Sequence, residues 1–134
     1  MITTYFKNLI ADNLWHTTKD ASTNLPVNYY LALSRTEPLV SGAGVDEPND
    51  AAAYKRQLLG TMQAASEGST SNANGIAWSR FDTDQGQIGY WALYDAEEGG
   101  NLLMGGPLDS VKHIDPGTTI IFEPGMLVLN IIGE

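Results

Sequence analysis

Few side chains in this sequence have the types and spacing that chemistry requires. The stretch Asp82-Thr-Asp84-Gln-Gly86 alternates carboxylates ahead of a glycine, as the first half of a calcium-binding loop does. The second half is missing, because Leu93 stands where a bidentate glutamate would close the loop. The expected reading is a polar turn. His16 and His113 are the two histidines. His16 follows Trp15 at the end of a predicted helix, where a cation complements the helix dipole. His113 lies in the polar stretch Lys112-His113-Ile114-Asp115. Neither has an evident partner, and acid–base catalysis requires one within hydrogen-bond reach. The glycine-rich stretches lack the Lys-Ser/Thr ending of a phosphate loop, and there is no Gly-x-Ser-x-Gly elbow. Carboxylates are plentiful, but the long cleft-forming loops of a two-carboxylate glycosidase are hard to fit in so short a chain. The expectation is a non-catalytic protein with no cofactor and no metal site.

What remains is apolar and aromatic. Trp15, Tyr30, Tyr54, Trp91 and Tyr94 are too many for one small core. Clustered Trp and Tyr favour protein interfaces and sugar-binding surfaces. The residues expected to form a protein interface are Tyr5, Phe6, Leu9, Trp15, Trp91 and Leu93.

Two kinds of element must position these side chains. Ile2, Tyr5, Phe6, Leu9, Ile10 and Leu14 recur at three- and four-residue spacing, which predicts an amphipathic helix over residues 1–16 with Thr3 or Thr4 as N-cap. From Val27 onward, short apolar runs alternate with Gly, Pro, Asn and Asp clusters, the pattern of an all-β sandwich. Strands are expected at Val27–Ser34, Tyr54–Met62, Ile76–Trp78, Gln87–Asp95, Leu102–Leu108, Thr118–Phe122 and Met126–Ile132, with loops at Glu37–Asp50 and Ser66–Gly75. Gln87–Asp95 is apolar on both faces: Ile88, Tyr90, Ala92 and Tyr94 on one, Trp91 and Leu93 on the other. Such a strand is central or covered by a second surface. Gly105, Gly106 and Pro107 suggest a bulge or an edge. The predicted core is Val27, Leu31, Leu33, Trp78, Ile88, Tyr90, Leu93, Leu102, Ile120, Phe122, Leu127 and Leu129. The fold class is therefore mainly β: an antiparallel β-sandwich of seven to eight strands over 27–132 with one N-terminal amphipathic helix, all in a single domain 1–134.

Composition narrows the function classes. The 134 residues suit one domain. With 43% hydrophobic and 17% charged residues the chain has the balance of a globular protein. It has no cysteine, so disulfides, thiolate metal sites and cysteine nucleophiles are excluded. Two histidines exclude a three-histidine zinc site within one chain. No apolar run is long enough for a membrane span, and no signal peptide is read at Met-Ile-Thr-Thr-Tyr-Phe-Lys, so membrane insertion is not expected. The formal charge is −9. It gathers between Phe81 and Glu134, where Asp82, Asp84, Asp95, Glu97, Glu98, Asp109, Asp115, Glu123 and Glu134 face only Lys112 as a base. An acidic surface repels phosphate backbones, which argues against direct nucleic-acid binding.

The order of segments is distinctive: an apolar N-terminal helix, then Tyr30-Leu-Ala-Leu-Ser-Arg-Thr-Glu-Pro38, Gly44-Val-Asp-Glu-Pro48 and Tyr54-Lys-Arg56. Ser71-Asn-Ala73, Ile76-Ala-Trp78, Ile88-Gly-Tyr-Trp-Ala-Leu-Tyr-Asp95 and Gly99-Gly-Asn-Leu-Leu-Met-Gly-Gly106 follow. The chain ends on Pro116-Gly-Thr-Thr-Ile-Ile-Phe-Glu-Pro-Gly125 and an apolar strand. Across nearly its whole length this resembles a family of short phage and prophage tail-fibre-like virion structural proteins. The most specific part is Ala92 to Leu103, and the departure is Trp91, where a smaller residue is expected. The resemblance implies a virion component made in the host bacterial cytoplasm, with no catalytic residues. It implies partnership with other phage structural proteins, and surplus apolar surface suggests a homo-oligomer. A tail- or fibre-associated subunit is the leading expectation. A capsid decoration or head-associated subunit, or a carbohydrate-binding module for a host surface glycan, is the alternative.

Overall fold

The computed structural model describes residues 1–50 and 53–131. The helix α1 spans Thr4–Trp15 and is capped by Thr3, whose hydroxyl oxygen accepts the Phe6 N–H at 3.2 Å. A single 3-10 turn, Ala21–Thr23, follows. Eight strands follow among the described residues: β1 (Tyr30–Ser34), β2 (Gln57–Leu58), β3 (Ser69–Ser71), β4 (Ile76–Ala77), β5 (Gly86–Tyr94), β6 (Leu102–Ile114), β7 (Ile121–Phe122) and β8 (Val128–Asn130). They form an antiparallel sheet of order β2-β1-β5-β6 and two ribbons, β3-β8 and β4-β7. The mainly β, antiparallel class with one helix agrees with the sequence expectation.

One core joins the three sheets and the helix. Leu31, Leu33, Ile88, Trp91, Leu93 and Met104 from the sheet meet Phe6 and Leu9 from α1, and Ile76, Trp78, Phe122 and Leu127 from the ribbon side. Each large apolar side chain fully buried there contributes about 1.5–3 kcal/mol. On the opposite face of the sheet, Ala32, Ala92, Tyr94 and Leu102 form a smaller cluster, covered by Met1 and Val45. The two apolar faces of β5 are thus both satisfied by the chain's own segments.

Several details differ from the sequence reading, each for an identifiable reason. Register shifts fall between Ile88 and Tyr90 and between Leu93 and Tyr94. The first of these β-bulges moves Ile88 to the face of Trp91 and Leu93, where strict alternation had put it with Tyr90, Ala92 and Tyr94. Tyr90 and Leu129 are only half-buried. The first strand begins at Tyr30, and Val27 is 92% exposed, outside the core. Ser69–Ser71, expected within a loop, pairs with β8. Its polar side chains hide the strand signal, because pairing uses backbone groups alone. β6 runs on to Ile114, and the last expected strand extends to Ile132, which lies outside the described residues.

The glycines of β6 mark close approaches. β6 is an edge of the main sheet, as Gly105, Gly106 and Pro107 had suggested. Gly106 lies opposite Trp91, and a Cβ there would sit 3.1–3.2 Å from the indole. The missing side chain makes room for the tryptophan. A Cβ on Gly105 would meet Pro38 at 2.9 Å. The N-terminal segment also lies along this edge. The Met1 ammonium donates to Gly105 O, Gly105 N–H donates to Met1 O, and Thr3 N–H donates to Leu103 O. These bonds occupy edge groups that would otherwise be open to another strand.

Candidate interaction surface

The six residues expected at an interface divide into two sets. Phe6, Leu9, Trp91 and Leu93 are buried in the chain's own core. Phe6 packs edge-on against Tyr29, and α1 is seated against β6. The seat is fixed by the buried Thr3 hydroxyl, which donates to Leu102 O at 2.7 Å. Tyr5 and Trp15 stand on the outer side of α1, and Trp15 is 75% exposed. They are ten residues apart in a helix, about 15 Å along its axis. His16 ends the helix: its N–H donates to Asp12 O, and its Nδ1 accepts the Thr18 N–H.

Beside α1 lies an open groove. Its walls include Tyr5, Leu9, Pro26, Val27, Tyr30 and Asp95. The far wall belongs to the β5–β6 hairpin loop. Asp95 shapes that loop: its carboxylate accepts the Asn101 N–H at 2.7 Å and the Asn101 side-chain amide at 3.0 Å. Gly100 has φ +72°, and a Cβ there would collide with Asp95 and Ala96. The Asp-Ala…Gly-Gly-Asn signature thus encodes a hairpin loop, not a catalytic device.

Behind the hairpin, Arg56 acts as a clamp. Its Nε and Nη2 donate to the Glu47 carboxylate at 3.1 and 2.9 Å, and its Nη1 donates to Ala96 O at 2.9 Å and Gly99 O at 2.7 Å. The guanidinium lies 3.6 Å over the Tyr94 ring. Tyr54 completes the group: its hydroxyl donates to Glu47 at 2.5 Å and accepts the Leu33 N–H. Burial, reinforced by the Glu47 carboxylate, pushes the Tyr54 phenol well above its ordinary range. Burial also raises Tyr94 and Tyr29. The hydrogen bonds of Arg56 and Tyr54 tie Glu47 to the hairpin and to β1. The arrangement is architectural.

The one mixed cluster of metal-ligating type among the described residues is elsewhere, at the far end of the β5–β6 ribbon: Asp84, His113 and Asp115. Sequence reasoning treated Asp84 and His113 separately. The signal that joins them is strand pairing, since Gln87 lies opposite His113 and Gly86 opposite Ile114. No helix among the described residues is long and apolar enough to cross a membrane.

Comparison with known proteins supplies the remaining observation. The family described as Podophage GP4 fiber I protein gp80 matches residues 1–130. No curated protein matches the chain.

Proposed function

The chain belongs to the podophage GP4 fiber I protein gp80 family, a family of phage fibre proteins and hence of virion components, and from that premise we propose that it is a non-catalytic assembly subunit of the fibre. It is made in the host cytoplasm. It associates with further copies of itself, and with other structural proteins of the particle, through the outer side of α1 and the neighbouring groove. The family match carries this reading. The exposure of Trp15 and Val27 on the helix side supports it. Both side chains would lose contact with water on association, and tryptophan in particular dominates the energetics of protein interfaces. Closed symmetric assembly is the usual arrangement of such subunits.

Sedimentation of the purified chain tests the claim. The expected result is a discrete oligomer that Trp15→Glu dissociates into folded monomers, because Trp15 is mostly exposed in the single chain. A monomer at high concentration contradicts it.

A second reading is favoured by one feature. The groove combines Tyr5 and Tyr30 with Asn24, Asn28 and Asp95, a mixture of aromatic faces and hydrogen-bonding groups that suits a host surface glycan. Trp91 cannot contribute, being buried. Silence on a glycan array removes this reading and leaves the assembly role intact.

A further inference from the structure

We propose that Asp84, His113 and Asp115 form a binding site for a first-row divalent transition-metal ion such as Zn²⁺. The three side chains are exposed, and their donor atoms all lie within 4.8 Å of one another. His113 Nε2 is 3.1 Å from Asp115 Oδ1 and 3.7 Å from Asp84 Oδ1. Two ligands held at about 2.0–2.2 Å from one metal stand roughly 3.0 Å apart at a right angle and about 3.4 Å apart at a tetrahedral angle. The shorter separation falls within that range and the longer lies slightly beyond it, so rotation of the exposed aspartate side chains brings the donors onto one ion.

The site rests on fixed backbone. Asp84 Oδ1 accepts the Gly86 N–H at 2.8 Å, which holds the carboxylate against the start of β5. The loop before it is anchored from behind: buried Asp50 accepts the N–H groups of Asp82 and Thr83 and the Thr83 hydroxyl. Gln85, also buried, donates to Thr83 Oγ1 and accepts from Arg35 Nη2 and the Asn49 N–H. Its own N–H donates to Ile114 O at 2.9 Å, tying this loop to the strand end that carries His113 and Asp115. Asp115 in turn opens a turn in which its N–H donates to Thr118 Oγ1 and its carbonyl accepts the Thr118 N–H. Ligands from two chain segments are therefore presented on one rigid edge.

The donor set selects the ion. One imidazole and two carboxylates suit zinc, manganese, cobalt or nickel, whereas calcium takes six to eight oxygen ligands. Asp82 and the acidic half-loop read in the sequence do not make a calcium site by themselves. With three protein ligands, water fills the remaining positions. The bound ion would brace the 82–86 loop against the 115–118 turn. This inference does not depend on the fibre assignment.

Isothermal titration of the full chain with Zn²⁺, paired with Co²⁺ absorption, tests it. The expected result is saturable one-to-one binding with the intense visible bands of low-coordinate cobalt, and heat from Ca²⁺ at least tenfold weaker in affinity. His113→Ala and Asp115→Asn should each weaken Zn²⁺ binding at least tenfold, while His16→Ala leaves it unchanged. Asp84→Asn retains an acceptor for the Gly86 N–H, so it preserves the turn while weakening the metal. Absence of saturable Zn²⁺ binding by the wild-type chain overturns the proposal, and so does wild-type affinity in His113→Ala.

Discussion

Replacing Arg56 by Met removes the clamp while keeping a long apolar stem in the same space. The Arg56 side chain is 8% exposed and its partner Glu47 26%. The substitution deletes two bonds to the Glu47 carboxylate, two to the carbonyls of Ala96 and Gly99, and the stacking on Tyr94. Glu47 is left with the Tyr54 hydroxyl and water. Breaking a buried ion pair from one side costs about 3–5 kcal/mol. The quarter exposure of Glu47 lets water restore some of its solvation, which places the expected loss near the lower end, about 3 kcal/mol. For a domain of this size each kcal/mol lowers the midpoint by roughly 3–5 °C, giving a drop of about 10–15 °C. Scanning calorimetry of wild type, R56M, E47Q and the double variant provides the cycle. The double variant should be clearly less destabilised than the sum of the singles, since removing both partners leaves no orphaned charge. A loss below about 1 kcal/mol for R56M, or strict additivity, refutes the clamp.

Two further substitutions and one titration follow. Gly106→Ala drives a methyl to 3.1–3.2 Å from the Trp91 indole, and overpacking of this kind costs about 1–3 kcal/mol. The calorimetric loss should come with a change in tryptophan emission. Gly60→Ala, with no neighbour within 4 Å, should be neutral or slightly stabilising. In alkali, burial raises the phenols of Tyr29, Tyr54 and Tyr94 above their unfolded values. The folded state therefore favours the protonated phenols. Their contribution to stability is complete below about pH 10, the unfolded value, and declines as pH rises beyond it. Tyrosinate absorbance should show Tyr54 ionising only together with unfolding and Tyr29 and Tyr94 ionising later than the exposed tyrosines, and titration of Tyr54 near pH 10 in the folded chain would contradict its burial.

How much was legible in the sequence depended on which groups did the structural work. The helix could be read because Phe6 and Leu9 recur on one face and Thr3 is a good cap. The core positions Leu31, Leu33, Trp78, Ile88, Leu93, Phe122 and Leu127 could be read from apolar runs between breakers. The ribbon strand Ser69–Ser71 could not, because its side chains are small and polar and its pairing with β8 is purely backbone. Nor could the bulge after Ile88, since a single extra residue flips the parity of a strand without changing composition. Of the interface residues, the sequence gives apolarity but not direction. Phe6, Leu9, Trp91 and Leu93 turned inward, and Tyr5 and Trp15 outward. The Asp84–His113–Asp115 cluster was hidden for a different reason. Its members lie far apart in sequence, and only the pairing of β5 with β6 brings them together.

A reconstruction of the intact phage particle at side-chain resolution tests the central claim most directly. The account predicts this chain in the fibre assembly, with Trp15, Val27 and the outer side of α1 covered by neighbouring subunits. The same chain found in the head, or found in the fibre with that side facing solvent, would contradict it.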